Sequence, residues 1–177
     1  MNKKEESGKD GGLSTLLSNL SSKQLLKMLL KNLHEQQGLN LAELIRIYED
    51  AKGEILVPLS IFSYKLEPAE ALCKYLKENE NLSYKEIARL ISRKEKSIWA
   101  TYQRAGKKRK QPFLKTEEKY LLPVSIFKDR SYSLLESAVL YLNKIHRLTN
   151  PQIARLLNKS ANSIAVLMKR ARDKGRE

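Results

Sequence analysis

An all-α fold is the prediction for this sequence, and three observations carry it. A long segment occurs twice, both copies place apolar residues at helical spacing, and helix-start signatures recur at corresponding places. Leu56-Val57-Pro58-Leu59-Ser60-Ile61-Phe62 returns as Leu121-Leu122-Pro123-Val124-Ser125-Ile126-Phe127. One residue is then gained, and the register holds at an offset of 66: Glu86-Ile87-Ala88-Arg89-Leu90-Ile91 returns as Gln152-Ile153-Ala154-Arg155-Leu156-Leu157, and Ser97-Ile98 as Ser163-Ile164.

The elements follow in chain order. Residues 1–12 are polar, charged and Gly-containing, lack the apolar stretch of a secretory signal, and are expected to form a disordered tail. Residues 13–54 are a leucine-rich helical region, with Leu16, Leu17, Leu20, Leu25, Leu26, Leu29, Leu30 and Leu33 followed by Leu39, Leu41, Leu44, Ile45 and Ile47. Gly38 with Asn40 marks a break, which gives a helical hairpin or three short helices. The apolar stripe is broader than a small helix needs. It either packs on the first copy or meets another chain, and self-association or partner binding is the favoured reading. Heptad order is too short-lived for a coiled coil.

Unit one spans residues 55–110, a linker 111–119, and unit two 120–177. Each unit parses into three helices, preceded by a short extended segment at its Pro-[Leu/Val]-Ser-Ile-Phe motif. The first helix begins near Pro68, which suits an early helical position, or at the Ser133-x-x-Glu136 capping box. Leu72, Tyr75 and Leu76, matched by Ala138, Tyr141 and Leu142, share one face of it. The second starts at Ser83-x-x-Glu86, repeated as Thr149-x-x-Gln152, where reciprocal side-chain bonds satisfy orphaned amides. It lasts about two turns, to Ser92-Arg93 or Asn158-Lys159, residues suited to a tight turn. The third runs from about Glu95 to Arg109, and from about Ala161 to Lys174. Shared apolar positions predict the core: Ile87/Ile153, Leu90/Leu156, Ile91/Leu157, Ile98/Ile164 and Tyr102/Met168. Cys73 matches Val139 and reads as a small buried hydrophobe.

A short helix containing a small residue (Ala88 or Ala154), a three-residue turn and a longer helix form the helix-turn-helix pattern. The usual turn glycine is replaced by Ser92 and Asn158, of which Asn better tolerates a left-handed conformation. At 100° per residue, Ile98, Tyr102 and Ala105 face inward, matched by Ile164, Met168 and Ala171. The opposite face presents Lys96, Ala100, Gln103 and Lys107, flanked by Ser97 and Arg104. In copy two it presents Asn162, Val166 and Lys169, flanked by Ser163 and Arg170. Amides suit adenine, lysine reaches guanine, and Ala or Val meets a thymine methyl. Arg93, Lys94, Arg104, Lys107 and Lys108, with Lys159 at the second turn, are suited to phosphates. The two faces differ, so they should read different bases.

Charge points the same way. Residues 1–54 balance 8 basic against 8 acidic residues, whereas 55–119 hold 15 against 8 and 120–177 hold 11 against 4. The whole net charge of +14 therefore lies in the duplicated part, as expected of a polyanion-binding surface. Double-stranded DNA is the expected partner. RNA is disfavoured, because no aromatic platform for stacking single-stranded bases is apparent. Trp99, whose counterpart is Ala165, reads first as a half-buried packing residue and second as a stacking one. The run Lys107-Lys108-Arg109-Lys110 continues the phosphate surface in preference to serving as a nuclear localisation signal.

The Pro-[Leu/Val]-Ser-Ile-Phe motif, the acidic first helix, Ser83-Tyr84-Lys85-Glu86-Ile87-Ala88-Arg89-Leu90-Ile91 and Ser97-Ile98-Trp99-Ala100-Thr101-Tyr102 resemble a known pattern. It is the promoter-reading helix-turn-helix of bacterial sigma factors (region four) and of tandem helix-turn-helix proteins similar to it. The resemblance covers about residues 56–110 and 121–174. It implies a recognition surface at Lys96, Ser97, Ala100, Gln103 and Arg104 and at their counterparts. No segment resembles the other regions of a full sigma factor, so promoter initiation is not implied.

The expected function is sequence-specific duplex DNA binding in transcriptional regulation. The alternative is a DNA-recognition or adaptor subunit of a larger assembly, of packaging type or protein-binding, built through residues 13–54. The chain is not expected to be an enzyme: it offers no acidic cluster for two metals, no nucleophile with a companion base and no phosphate-cradling glycine loop. No cofactor is expected, and His34 and His146 are isolated, so no metal is either. The single Cys73 fits a reducing compartment, no apolar run is long enough to span a membrane, and a cytoplasmic location is expected.

Overall fold

The computed structural model describes residues 21–114 and 118–175. The expected tail 1–12, residues 13–20 of the leucine-rich region and part of the 111–119 linker lie outside the described residues. Eight α-helices and one two-stranded ribbon are present among those described, so the fold is all-α. The chain divides into a compact unit ending at Ile47 and another running from Tyr48 to Glu177.

Among the described residues the leucine-rich region forms helices α1 (Ser22–Gln37) and α2 (Leu41–Lys52), with the break between them at the expected Gly38 and Asn40. Gly38 ends α1 at φ +67°, a left-handed conformation that glycine adopts without steric cost. Asn40 starts α2 with a reciprocal cap: its N–H donates to Glu43 Oε2 at 2.7 Å, and the Glu43 N–H donates to Asn40 Oδ1 at 3.1 Å.

The second unit holds both copies of the repeat. Copy one comprises β1 (Leu56–Pro58), a 3-10 turn (Leu59–Ser63), α3 (Pro68–Glu78), α4 (Tyr84–Leu90) and α5 (Glu95–Lys108). Copy two comprises β2 (Leu121–Pro123), a 3-10 turn (Val124–Phe127), α6 (Leu134–Lys144), α7 (Asn150–Leu156) and α8 (Ala161–Lys174). Helix bounds match residue for residue at the expected offset of 66. Capping boxes sit at Ser83 and Glu86, Ser133 and Glu136, and Thr149 and Gln152. Glu67 with Glu70 makes a fourth, ahead of Pro68 in the first turn of α3.

Within each copy the long third helix packs on the first and second. The buried side chains of the two copies then merge into one cluster, from Val57 and Phe62 through Ile98 to Phe127, Ile164 and Met168. The join is the antiparallel pairing of β1 with β2, in which Val57 faces Leu122, Leu56 faces Pro123 and Pro58 faces Leu121. Val57 and Leu122 are repeat counterparts, and the flanking pairs exchange counterparts, so the join is symmetric under a half-turn. The Leu59 N–H donates to the Tyr120 carbonyl at 3.1 Å, and its counterpart, the Val124 N–H, donates to the Ile55 carbonyl at 2.9 Å. Each 3-10 turn lies against the short helix of the other copy. The rings of Phe62 and its counterpart Phe127 meet at 5.8 Å.

Part of the segment expected as a bare linker is anchored. Phe113 is buried, with its ring 5.3 Å from Tyr64 and its carbonyl accepting from Asn79 Nδ2 at 2.8 Å. The Arg109 guanidinium lies 4.4 Å above Tyr64 and 5.2 Å above Phe113. An aromatic residue in a short polar segment was the available signal for this anchor.

Candidate nucleic-acid interface

The site is set up by the turn between the short helix and the long one. Ser92 and Asn158 occupy φ +50° and +51°, so both copies enter the left-handed region where the sequence placed the missing glycine. Each turn is closed by an equivalent backbone bond, Arg93 N–H to the Ala88 carbonyl and Lys159 N–H to the Ala154 carbonyl, both at 2.9 Å. Ala88 and Ala154 are buried where the helices cross, and a larger side chain there would force them apart. The start of α8 is capped by Ser160, whose Oγ accepts from the Ser163 N–H at 3.1 Å; Lys94, at the same place before α5, makes no such bond.

The inward face of α5 consists of Ile98, Ala105 and also Thr101, a residue not predicted for the core. In α8 it consists of Ile164, Met168 and Ala171. Tyr102 is only partly buried, because its hydroxyl reaches the Glu78 carboxylate at 3.1 Å; Leu90 and Leu156 are also only partly buried. The outward face carries the predicted residues. Lys94, Lys96, Ser97, Gln103, Arg104, Lys107 and Lys108 are exposed, with Ala100 and Arg93 partly so. In copy two Lys159, Asn162, Ser163, Val166, Lys169 and Arg170 are all exposed. All but Lys169 of these line a shallow open depression against α8, together with Leu135 and Leu167. An apolar floor edged by a cation and an amide can receive a base edge with its methyl group.

Two of the copy-one cations are already committed. Lys108 Nζ holds the buried Glu70 carboxylate at 2.8 and 3.0 Å. Arg104 places Nε 3.7 Å from the same carboxylate and donates from Nη2 to Thr101 Oγ1 at 3.1 Å. Lys108 therefore anchors α5 to α3, rather than standing free beside Lys107, and Arg104 is pinned at the edge of the outward face. Copy two repeats the anchor, with Lys174 on Glu136 at 2.8 Å. Burial on its own would raise the Glu70 and Glu136 pKa values. It is outweighed by the hydrogen bonds from Lys108 and Lys174, the backbone N–H groups of Glu67 and Ser133, and the nearby positive charges, so both carboxyls sit below their ordinary value of 4.5. Of the two anchoring glutamates the sequence showed only Glu136, as a capping residue; in each copy the partner lysine lies 38 residues away.

Trp99 keeps 52% of its surface exposed and lies on the solvent side of α5. The rest of its surface is covered, as expected of a half-buried residue beside the core face. Cys73 is buried as predicted, which pushes its thiol pKa up to about 12 and makes it an inert core side chain. His146 is half-buried, edge-on to Tyr120 and Tyr141, and burial lowers its pKa below the ordinary 6.5. Among the described residues, no group of three or more His, Cys, Asp or Glu could hold a metal ion, and no helix is long and apolar enough to cross a membrane. Compared with protein-family models, curated proteins and solved structures, the chain matches none.

Proposed function

We propose that the unit from Tyr48 onward binds duplex DNA sequence-specifically through two helix-turn-helix units, with α5 and α8 as the reading helices, in the service of transcriptional regulation. One observation supports this above the others. In both copies the long helix keeps a polar and basic face open directly opposite its buried stripe, in the part of the chain that holds all the net positive charge. The polar faces supply base contacts, and Arg93, Lys107 and Lys159 supply phosphate contacts that set register.

The test is retention of a random duplex pool by the full chain across a salt series, followed by sequencing. Affinity should fall steeply as salt rises, since displaced counterions drive the binding. Gln103→Ala and Lys169→Ala should each weaken the selected site by about tenfold while leaving binding to unrelated duplex almost unchanged. Absence of retention at low salt would move the function to protein partners. The alternative of an assembly or adaptor subunit draws support from Met28 and Leu29, both more than half exposed on α1. An oligomer larger than a dimer, measured by mass in solution, would favour that reading.

A further inference from the structure

We propose that the target of this chain is an imperfect inverted repeat, read by a single chain whose internal pseudo-twofold axis falls on the dyad of the duplex. The inference rests on α5 and α8 being the DNA-reading helices, and it adds the orientation of the two half-sites, the stoichiometry and the positions at which the halves differ.

A tandem repeat in a sequence leaves half-site orientation open. Two heads on a flexible tether would suit a direct repeat as well as an inverted one. The ribbon removes that freedom. Val57 pairs with its own counterpart Leu122, and Leu56 and Pro58 pair with the counterparts of each other. The hydrogen bonds from Leu59 to Tyr120 and from Val124 to Ile55 repeat the exchange. This is the isologous pattern of a twofold dimer, written within one chain.

The symmetry extends from the ribbon to the reading helices, because each copy is built alike. The third helix packs on the first and second in both, the turns share their left-handed residues, and the lysine anchors of Glu70 and Glu136 coincide in the repeat. The half-turn that carries β1 onto β2 therefore carries α5 onto α8. Two heads related by a half-turn and contacting one duplex in the same way must place that axis on a dyad of the duplex, so they read the two strands in opposite directions. A direct repeat needs a translation along the duplex, which the ribbon does not provide.

The same comparison fixes where the half-sites agree. Ser97 matches Ser163, so bases facing these two residues should be related by symmetry. Lys96 stands against Asn162, Ala100 against Val166, and Gln103 against Lys169, so bases facing these should differ between the halves. The mismatch orients the protein on its site.

The experiment begins with the random duplex pool and the full chain. The expected result is an imperfect inverted repeat bound by one chain per duplex, measured by the mass of the complex. Rebuilding the selected half-sites as a direct repeat at unchanged spacing should weaken binding by about tenfold or more, since one head then loses its contacts. The triple variant Lys96→Asn, Ala100→Val, Gln103→Lys gives α5 the reading residues of α8 and should select a more nearly perfect inverted repeat. Enrichment of a direct repeat, of a lone half-site, or of an inverted repeat holding two chains would overturn the inference while leaving duplex binding intact. Retention without any enriched sequence would also overturn it. No retention of duplex at low salt would instead remove the DNA-binding reading, and this inference with it.

Discussion

Lys74 shows how differently the two copies solve one problem. Its side chain is buried, with Nζ 2.6 and 2.7 Å from the Glu78 carboxylate, which also accepts from the Tyr102 hydroxyl. In copy two the three positions are Leu140, Lys144 and Met168: apolar residues replace the buried lysine and the tyrosine, and the position of the carboxylate holds an exposed lysine. Removing one member of a buried ion pair strands the other charge, so Lys74→Leu alone should cost roughly 3 kcal/mol. The triple change Lys74→Leu, Glu78→Lys, Tyr102→Met should recover most of that loss in chemical denaturation. If the triple variant is no more stable than the single one, the two solutions are not interchangeable. Glu70 and Glu136 carry a pH dependence. Their pKa values are lower folded than unfolded, so their contribution is complete above about 4.5 and is lost as pH falls through the folded values. His146, held neutral by burial, adds a penalty that grows as pH falls below 6.5. Melting temperature should therefore decline toward acid in two steps, and Glu136→Gln should flatten the lower one. An unchanged acid limb in that variant would remove the assignment.

At the scale of elements, caps and turns decide where helices begin and stop. The Ser133 Oγ accepts from the Glu136 N–H at 3.2 Å, so Ser133→Ala should cost about 1 kcal/mol and lower the melting temperature. The left-handed turns make a sharper test. A β-branched residue is disfavoured at positive φ, so Asn158→Val should cost about 1–2 kcal/mol, whereas Ser92→Gly should be neutral or stabilising. A stable Asn158→Val protein would mean that the turn adopts another conformation. These elements were legible in the sequence because their signals are local. Ser83, Ser133 and Thr149 lie three residues from their partners, and Ser92 and Asn158 stand where the repeat aligns one turn with the other. Thr101 and Phe113 were not legible in the same way. Whether a threonine is buried or a linker phenylalanine anchored depends on neighbours brought in from elsewhere in the chain.

At the scale of the molecule, the shared core predicts cooperativity. Because the copies bury one continuous cluster across the ribbon, the unit from Tyr48 onward should unfold in a single transition rather than two. Phe62→Ala, which empties space beside Phe127, should cost about 3–5 kcal/mol and shift that transition as a whole. Separate transitions for the two copies, seen by calorimetry, would contradict a common core.

The sequence by itself determined the helical class, the duplicated unit, the helix starts, the left-handed turns and the residues on the open face of each long helix. Periodicity, capping and the repeat are short-range properties, or comparisons of the chain with itself, and require no knowledge of packing. Only the tertiary structure decided that Lys108 and Lys174 are tied to buried glutamates, and above all how one copy is turned relative to the other. That last relation depends on Val57 meeting Leu122, a contact between residues far apart in the chain. Strands this short carry no register signal of their own, and the pairing is selected only when both apolar faces close into one core.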